Sequence, residues 1–336
     1  MTALPWPGAV AVSGGGDSVA LMLLLAGWAK KARKPAPVVV TVDHALRDGS
    51  AKDARQVLRW AKALGLKAKA LRRTGPRPTA DVEAAARDAR YRLMGGWARR
   101  AKLAALYVAH TGDDQAETFL LRLARGSGLD GLSAMRPLAS YPVAGFDELV
   151  VVRPLLSLPR DDLRAHLSGH GHPWLEDPMN GEDRFARVRL RKLLPALEEA
   201  GLTRARMTAA AVHLARAREA LDAVTEAVLV RAARPEASGV HIDAAALTAA
   251  PREIALRAFA RLLMTVSGQP YRPRFARLER LFDAIRDNTL GGGATLHGCR
   301  VFLAPAGRGA FGPGTVFVAP ETGRKRGKSS NRVAEP

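Results

Sequence analysis

Apolar positions in the first 125 residues fall into two rhythms. Residues 9–12 and 38–42 are short, continuous apolar runs, and the second is almost wholly β-branched. That is the mark of strands buried on both faces. Residues 67–71 and 103–109 read as two further strands. Between the strands lie stretches of helical length and period at 19–30, 50–64, 79–100 and 113–124. Ser50 is the expected N-cap of the second helix, with Asp53 in its first turn. Strand–helix alternation of this kind predicts an α/β fold, a doubly wound parallel sheet. Ligands of such sheets sit beyond the carboxyl ends of the strands.

After Gly126 the pattern breaks, punctuated by Pro137, Pro142, Pro154 and Pro159. Short helices are expected at 158–168 and 186–200. Residues 203–234 are nearly all Ala, Arg, Leu and Val with no turn signal before Pro235, which predicts a long helix joining two domains. Helices are then expected at 244–247, 251–267 and 274–286, and strands at 294–303 and 315–318 around Gly-rich turns. The chain is therefore expected to divide into an α/β domain at 1–202, a smaller, mainly helical domain at 203–319, and a basic tail without fixed structure at 320–336.

Composition narrows the class. With 336 residues, 47% hydrophobic and 25% charged, the chain has the make-up of a folded protein with a sizeable core. No run approaches the ~20 apolar residues that span a bilayer, and Asp17 interrupts the only N-terminal apolar stretch, against a signal peptide. One cysteine, Cys299, excludes an internal disulfide, a Cys-based zinc site and a Cys-x-x-Cys redox pair. The expectation is a cytoplasmic protein with no membrane segment. Against 32 acidic residues stand 52 basic ones, a net charge of +20. An excess of that size points to a polyanionic partner, nucleic acid before membrane. Because 41 of the 52 cations are Arg, compositional bias competes with that reading.

The motifs carry the chemistry. Ser13-Gly14-Gly15-Gly16-Asp17-Ser18 joins the first strand to the first helix. Glycines there let backbone N–H groups close on phosphate oxygens, where the helix N-terminus adds partial positive charge. Asp17 would repel a phosphate unless a cation lies between them, which suggests Mg²⁺ held between Asp17 and a triphosphate. A Walker loop is excluded, because no Gly-Lys-Ser/Thr follows. A Rossmann fingerprint has Gly14 and Gly16 but meets the bulky Val19 where a third small residue is needed.

Asp43 and His44 end the second strand on the ligand side. His110-Thr111-Gly112-Asp113-Asp114-Gln115-Ala116-Glu117-Thr118 follows the fourth. Asp114 and Glu117 share one helical face. Ordinary N-terminal capping accounts for one or two acids there. A cluster of this density also suits an ammonium substrate or metal, and a base to deprotonate an attacking amine. Further on come Arg125-Gly126-Ser127-Gly128-Leu129-Asp130-Gly131-Leu132, Arg153-Pro154-Leu155-Leu156 and Glu176-Asp177-Pro178-Met179-Asn180. Arg184, Arg187 and Arg191 then lie on one helical face, either a solvated basic surface or a phosphate-contacting stripe.

The hexapeptide resembles the phosphate loop of the PP-loop, or N-type, ATP pyrophosphatases. The segments together, over roughly residues 9–200, resemble the tRNA(Ile)-lysidine synthetases. Met179 and Val188 stand where that family often has Ser and Asn. The chain looks like a compact form without the extra C-terminal domain of longer members.

The resemblance implies an enzyme that forms a carbon–nitrogen bond. ATP adenylates the carbonyl oxygen at carbon 2 of the wobble cytidine in the CAU-anticodon isoleucine tRNA. L-Lysine then attacks that carbon through its ε-amine, and AMP leaves. The resemblance assigns ATP to Ser13, Gly14, Gly15, Gly16, Asp17, Ser18, Asp43 and His44, and Mg²⁺ to Asp17. Lysine goes to Asp114 and Glu117, and tRNA to Arg184, Arg187 and Arg191, with Asp17, Asp114, Glu117 and Arg187 catalytic. Related enzymes imply a homodimer.

The rivals are a tRNA thiolase of the same superfamily, a non-catalytic RNA-binding protein and, remotely, an NAD-binding oxidoreductase. The lone Cys299 argues against sulfur transfer, and the intact loop and acid cluster argue against mere RNA binding.

Overall fold

The computed structural model describes residues 5–45, 49–74, 82–176, 186–269 and 271–321, without the side chains of residues 82–84 and 187. The chain forms two compact units, residues 1–215 and 216–336.

The first unit is built on strands β1 (Gly8–Ala11), β2 (Val38–Asp43), β3 (Ala68–Arg72), β4 (Ala105–Tyr107), β5 (Leu138–Ser140) and β6 (Val150–Val152). They form one sheet in the order β3-β2-β1-β4-β6-β5. All neighbours run parallel except β5, which pairs antiparallel with β6 at the edge. Helices α1 (Gly16–Lys31), α2 (Ser50–Ala63), α3 (Val82–Arg100) and α4 (Gly112–Ala124) connect or follow the strands, as the periodicity predicts.

Two apolar layers sandwich the sheet. One holds Val10, Val39, Leu21, Leu25 and Val57, and the other Ala9, Val40, Tyr91, Met94, Leu106 and Val151. Alternate residues of β1 and β2 thus feed opposite layers, which is why both strands are apolar up to the Thr41 and Asp43 positions near the carboxyl end of β2. Strands β5 and β6 were not expected. Val150, Val151 and Val152 carried the signal, but proline punctuation around them reads as loop.

Beyond the sheet come α5 (Leu129–Leu132), α6 (Arg160–Gly169), α7 (Ala186–Glu199) and α8 (Arg204–Ala232), the last crossing from the first unit into the second. Leu163 and Leu167 of α6 join the apolar layer that holds α1, so the two helices pack side by side. Ala116 of α4 packs with Leu194 of α7 and Met207 of α8. These two contacts position the site.

The second unit contains β7 (Ala233–Glu236), β8 (Gly239–Asp243), α9 (Ala244–Thr248), α10 (Arg252–Ser267), α11 (Phe275–Arg286), β9 (Ala294–Leu296), β10 (Cys299–Leu303) and β11 (Thr315–Pro320). The expected helices are present, against a five-stranded antiparallel sheet, β7-β8-β11-β10-β9, larger than the two strand segments foreseen. Residues 294–303 divide into a hairpin because His297 and Gly298 both adopt positive φ, the requirement of a tight two-residue turn. Ile254, Ala255, Ala258, Phe259, Leu262 and Leu263 form the buried stripe of α10 over this sheet. Each large side chain buried there contributes about 1.5–3 kcal/mol of transfer free energy. Among the described residues, no helix is long and apolar enough to cross a membrane.

Candidate active site

The glycine-rich loop lies between β1 and α1, at the carboxyl edge of the sheet. Its serines brace it. Ser13 N–H donates to Ser18 Oγ at 3.1 Å, and Ser18 Oγ donates to the Gly15 carbonyl at 2.8 Å. Gly15 occupies the N-cap of α1 with no side-chain cap, so the first helical N–H groups are left for a ligand. Gly14 has φ +99°, a region L-residues rarely enter, and a Cβ there would sit 2.7 Å from Leu175 Cδ1. Leu175 N–H also donates to the Gly14 carbonyl at 2.9 Å, and Trp174 flanks Gly16. The glycines therefore serve close packing by residues 174–175 as well as phosphate access. A Cβ on Gly15, in contrast, would meet only Ser13 Oγ at 3.7 Å, so that face is open.

Asp43 is buried at the end of β2 and accepts hydrogen bonds from Ser50 Oγ at 2.6 Å and Ala45 N–H at 3.0 Å. Ser50 is thus the first residue of α2 rather than its N-cap, a position Gly49 takes with φ +92°. The Ser50 bond, with smaller help from Ala45 and Arg72, holds the Asp43 carboxyl below the usual carboxylate range. A group depressed in the folded state adds stability above its unfolded pKa and loses it as pH falls through the folded value. Ser50→Ala is therefore expected to cost about 1.5–3 kcal/mol near neutrality. Urea melts of the variant should approach those of the parent as pH falls through the depressed Asp43 value, below the usual carboxylate range.

The acid-rich segment divides its labour. Thr111 caps α4 in a capping box: Thr111 N–H donates to Asp114 Oδ2 at 2.8 Å, and Asp114 N–H to Thr111 Oγ1 at 3.4 Å. Asp113 Oδ2 accepts from the backbone N–H of Arg160 at 2.7 Å and so caps α6 from outside. Gln115 clamps Met135 through both amide atoms. Capping thus explains Asp113 and one oxygen of Asp114. It does not explain Glu117, which is 1% exposed, nor Asp114 Oδ1.

Those two face cations. Arg160, at the start of α6, donates from Nε to Asp17 at 2.9 Å. It also reaches Asp114 at 3.4 Å and Glu117 at 3.7 Å. Arg191 on α7 grips Glu117 with two bonds, 2.6 and 3.2 Å. The chain of contacts Asp17–Arg160–Asp114/Glu117–Arg191 joins the phosphate loop to the acid cluster.

Burial raises the Asp17 pKa, with Asp114 adding to it and Arg160 opposing. Burial also works to lower the Arg160 pKa, yet the three carboxylates together raise it. The pair looks costly from Asp17 and favourable from Arg160 because one guanidinium collects three acids while Asp17 has a like charge beside it. The Arg160 direction describes the cluster as a whole.

Arg160 was not foreseen. Its only sequence signal is a cation at a helix start, where acids are favoured. Arg184 lies outside the described residues, as do the Arg187 side chain and residues 177–180. Val188 is buried on α7. Asp17 can serve Mg²⁺, since that ion keeps several waters and needs only one or two carboxylates besides phosphate. Among the described residues, no group of three or more His, Cys, Asp or Glu side chains could hold a metal alone.

Residues 8–197 match the PP-loop domain model ATP_bind_3. A tRNA(Ile)-lysidine synthase from Methylobacterium nodulans is 43% identical over 321 residues, 95% of this chain and 91% of that protein. One from Ruegeria pomeroyi is 38% identical, over 88% and 71%. Among solved structures, the U34-tRNA thiolase NcsA from Methanococcus maripaludis, described with a 4Fe-4S cluster, superposes with a TM-score of 0.50. It covers 64% of this chain and 71% of the thiolase at 15% identity, a likeness of fold alone.

Proposed function

Because this chain belongs to the tRNA(Ile)-lysidine synthase family and carries its PP-loop domain, we propose that the loop–acid cluster described above is where ATP, a cytidine of tRNA(Ile) and lysine meet. The enzyme is a ligase that forms a carbon–nitrogen bond, and ATP is its co-substrate.

A cytosine carbonyl is a poor electrophile, and adenylation supplies a leaving group. The carbonyl oxygen at carbon 2 attacks the α-phosphorus of ATP, and pyrophosphate departs. The unbonded N–H groups at the start of α1 stabilise the charge that develops on the departing phosphates. Bound at Asp17, Mg²⁺ would neutralise part of that charge. Asp43 and His44 line the nucleotide side at the end of β2.

The ε-amine of lysine, freed of its proton, then bonds to carbon 2. The carbon–oxygen bond to AMP breaks, and a second proton leaves the nitrogen. An ammonium group is protonated near neutrality and needs both an anionic seat and a proton acceptor. Asp114 Oδ1 and Glu117 supply both.

The observation that carries this reading is the single guanidinium, Arg160, bonded at once to the loop acid and to the cluster acids. A cation already rests where the substrate's ammonium is required. Arg184, Arg187 and Arg191 are proposed to steady RNA or AMP phosphate.

Sulfur transfer is disfavoured. Cys299 lies in the second unit, buried with Sγ donating to the Leu263 carbonyl at 3.3 Å. Burial pushes its thiol up to about 11, away from the thiolate that such chemistry needs. Labelled lysine, ATP and CAU-anticodon tRNA are expected to yield labelled tRNA together with AMP and pyrophosphate. ATP turnover with no label in the RNA would refute the reading.

A further inference from the structure

Arg153 follows β6 directly, on the carboxyl side of the sheet, and is 8% exposed. A guanidinium carries five N–H donors and is always charged. One of the five, on Nη1, reaches the Arg136 carbonyl at 2.9 Å. Nε is buried and meets no acceptor among the described residues. Burial lowers the Arg153 pKa, Tyr91 of α3 opposes that, and the cation Arg87 of the same helix adds to the lowering. Arg87 is itself exposed, lies over the ring of Tyr91 at 5.0 Å, and pairs with no carboxylate among the described residues. Buried charges are normally paired. Elsewhere in the same unit that rule holds: Arg160 has three acids and Arg191 has one. A buried guanidinium with an orphaned Nε, and an exposed one over Tyr91 near the start of α3, call for an external anion.

The sheet order identifies which anion. The phosphate loop follows β1 and the acid cluster follows β4, while Arg153 follows β6 beyond them. With strands ~4.8 Å apart, Arg153 stands about 10 Å across the sheet from the loop. A triphosphate held by the loop and the start of α1 is seated at β1, and Arg153 stands two strands away from that seat. A nucleotide whose base enters between loop and cluster carries its backbone on the outer side. A pair of arginines suits the fork geometry of a phosphodiester.

We propose that Arg153 and Arg87 form a phosphate subsite that takes a backbone phosphodiester of the tRNA substrate and so positions the reactive cytidine. The inference rests on the lysidine-forming reading for the identity of the RNA. The arginines act on the bound nucleotide's position, not on the reacting atoms.

The test uses the full-length protein with Arg87→Gln, Arg153→Gln and Arg153→Lys. Both Gln variants are expected to bind tRNA about tenfold more weakly, each with a salt dependence shallower by about one phosphate contact. ATP affinity and the KM for lysine should stay at parent values. Arg153→Lys should recover part of the affinity, because it restores charge without the fork. Arg87→Gln lies on an exposed side chain, so it reports even if Arg153→Gln folds poorly. Parent-like tRNA affinity and salt slope in Arg87→Gln would overturn the subsite, as would a rise confined to the lysine KM or to the ATP Kd. Failure of the parent enzyme to transfer lysine would sink the functional reading, whereas the binding curves judge the subsite separately.

Discussion

Asp114→Asn is expected to leave a folded enzyme that still releases pyrophosphate from ATP in the presence of tRNA, yet transfers lysine at least about a hundredfold more slowly. The asparagine oxygen can still accept from Thr111 N–H, so the cap on α4 survives. What disappears is the negative charge that Oδ1 turns toward Arg160. Asp114→Ala removes both and is expected to lose about 1 kcal/mol more of stability. Single-turnover lysine incorporation, pyrophosphate release and a thermal melt on both variants separate the two duties. A parent-like transfer rate in Asp114→Asn would make the residue a cap and nothing more.

Glu117→Ala should be the more damaging change. It strands Arg191 and weakens the hold on Arg160 where Glu117 is almost wholly buried. Breaking a wholly buried pair from one side costs about 3–5 kcal/mol; with Arg191 32% exposed the cost falls below that range, yet stays a sizeable part of the ~5–15 kcal/mol that holds a domain together. Glu117→Leu combined with Arg191→Leu should recover most of that stability, because an apolar pair of similar volume leaves no uncompensated charge. Lysine transfer should stay absent in both. Denaturant midpoints of the single and double variants check this. A double variant no more stable than Glu117→Ala would show that the ion pair is not what the fold relies on.

The three regions of the chain were unequally legible. Residues 8–124 read almost directly, because strands buried on both faces and helices of ordinary length leave unmixed periodicities. Residues 138–152 did not, since three-residue strands between prolines carry too few positions to show a period. Strand β8 is a five-residue strand with only two large apolar side chains, Val240 and Ile242, and β7 was hidden at the end of the uniform Ala/Arg/Leu composition of α8. Chain direction there changes only at Ala233-Arg234, where the following Pro235 favours extended backbone.

The site was legible in its words and not in its grammar. Every residue of the phosphate loop and the acid cluster could be named from sequence. Their division into cap, clamp and free carboxylate could not. A motif such as Asp113-Asp114-Gln115-Ala116-Glu117 gives no sign that its first acid caps a helix 47 positions away. Nor does it show that its Gln braces a loop.

By itself, then, the sequence determined the class of fold, the phosphate loop, the supply of carboxylates and the family that combines them, because each of these is written in local spacing. Only the tertiary structure decided who neutralises whom. Packing of α6 on α1 brings Arg160 to Asp17, and packing of α4 on α7 brings Arg191 to Glu117. The packing around the end of β6 leaves Arg153 Nε buried without an acceptor among the described residues. Electrostatic pairing depends on distances of a few ångströms between groups remote along the chain, and spacing in a sequence does not encode them.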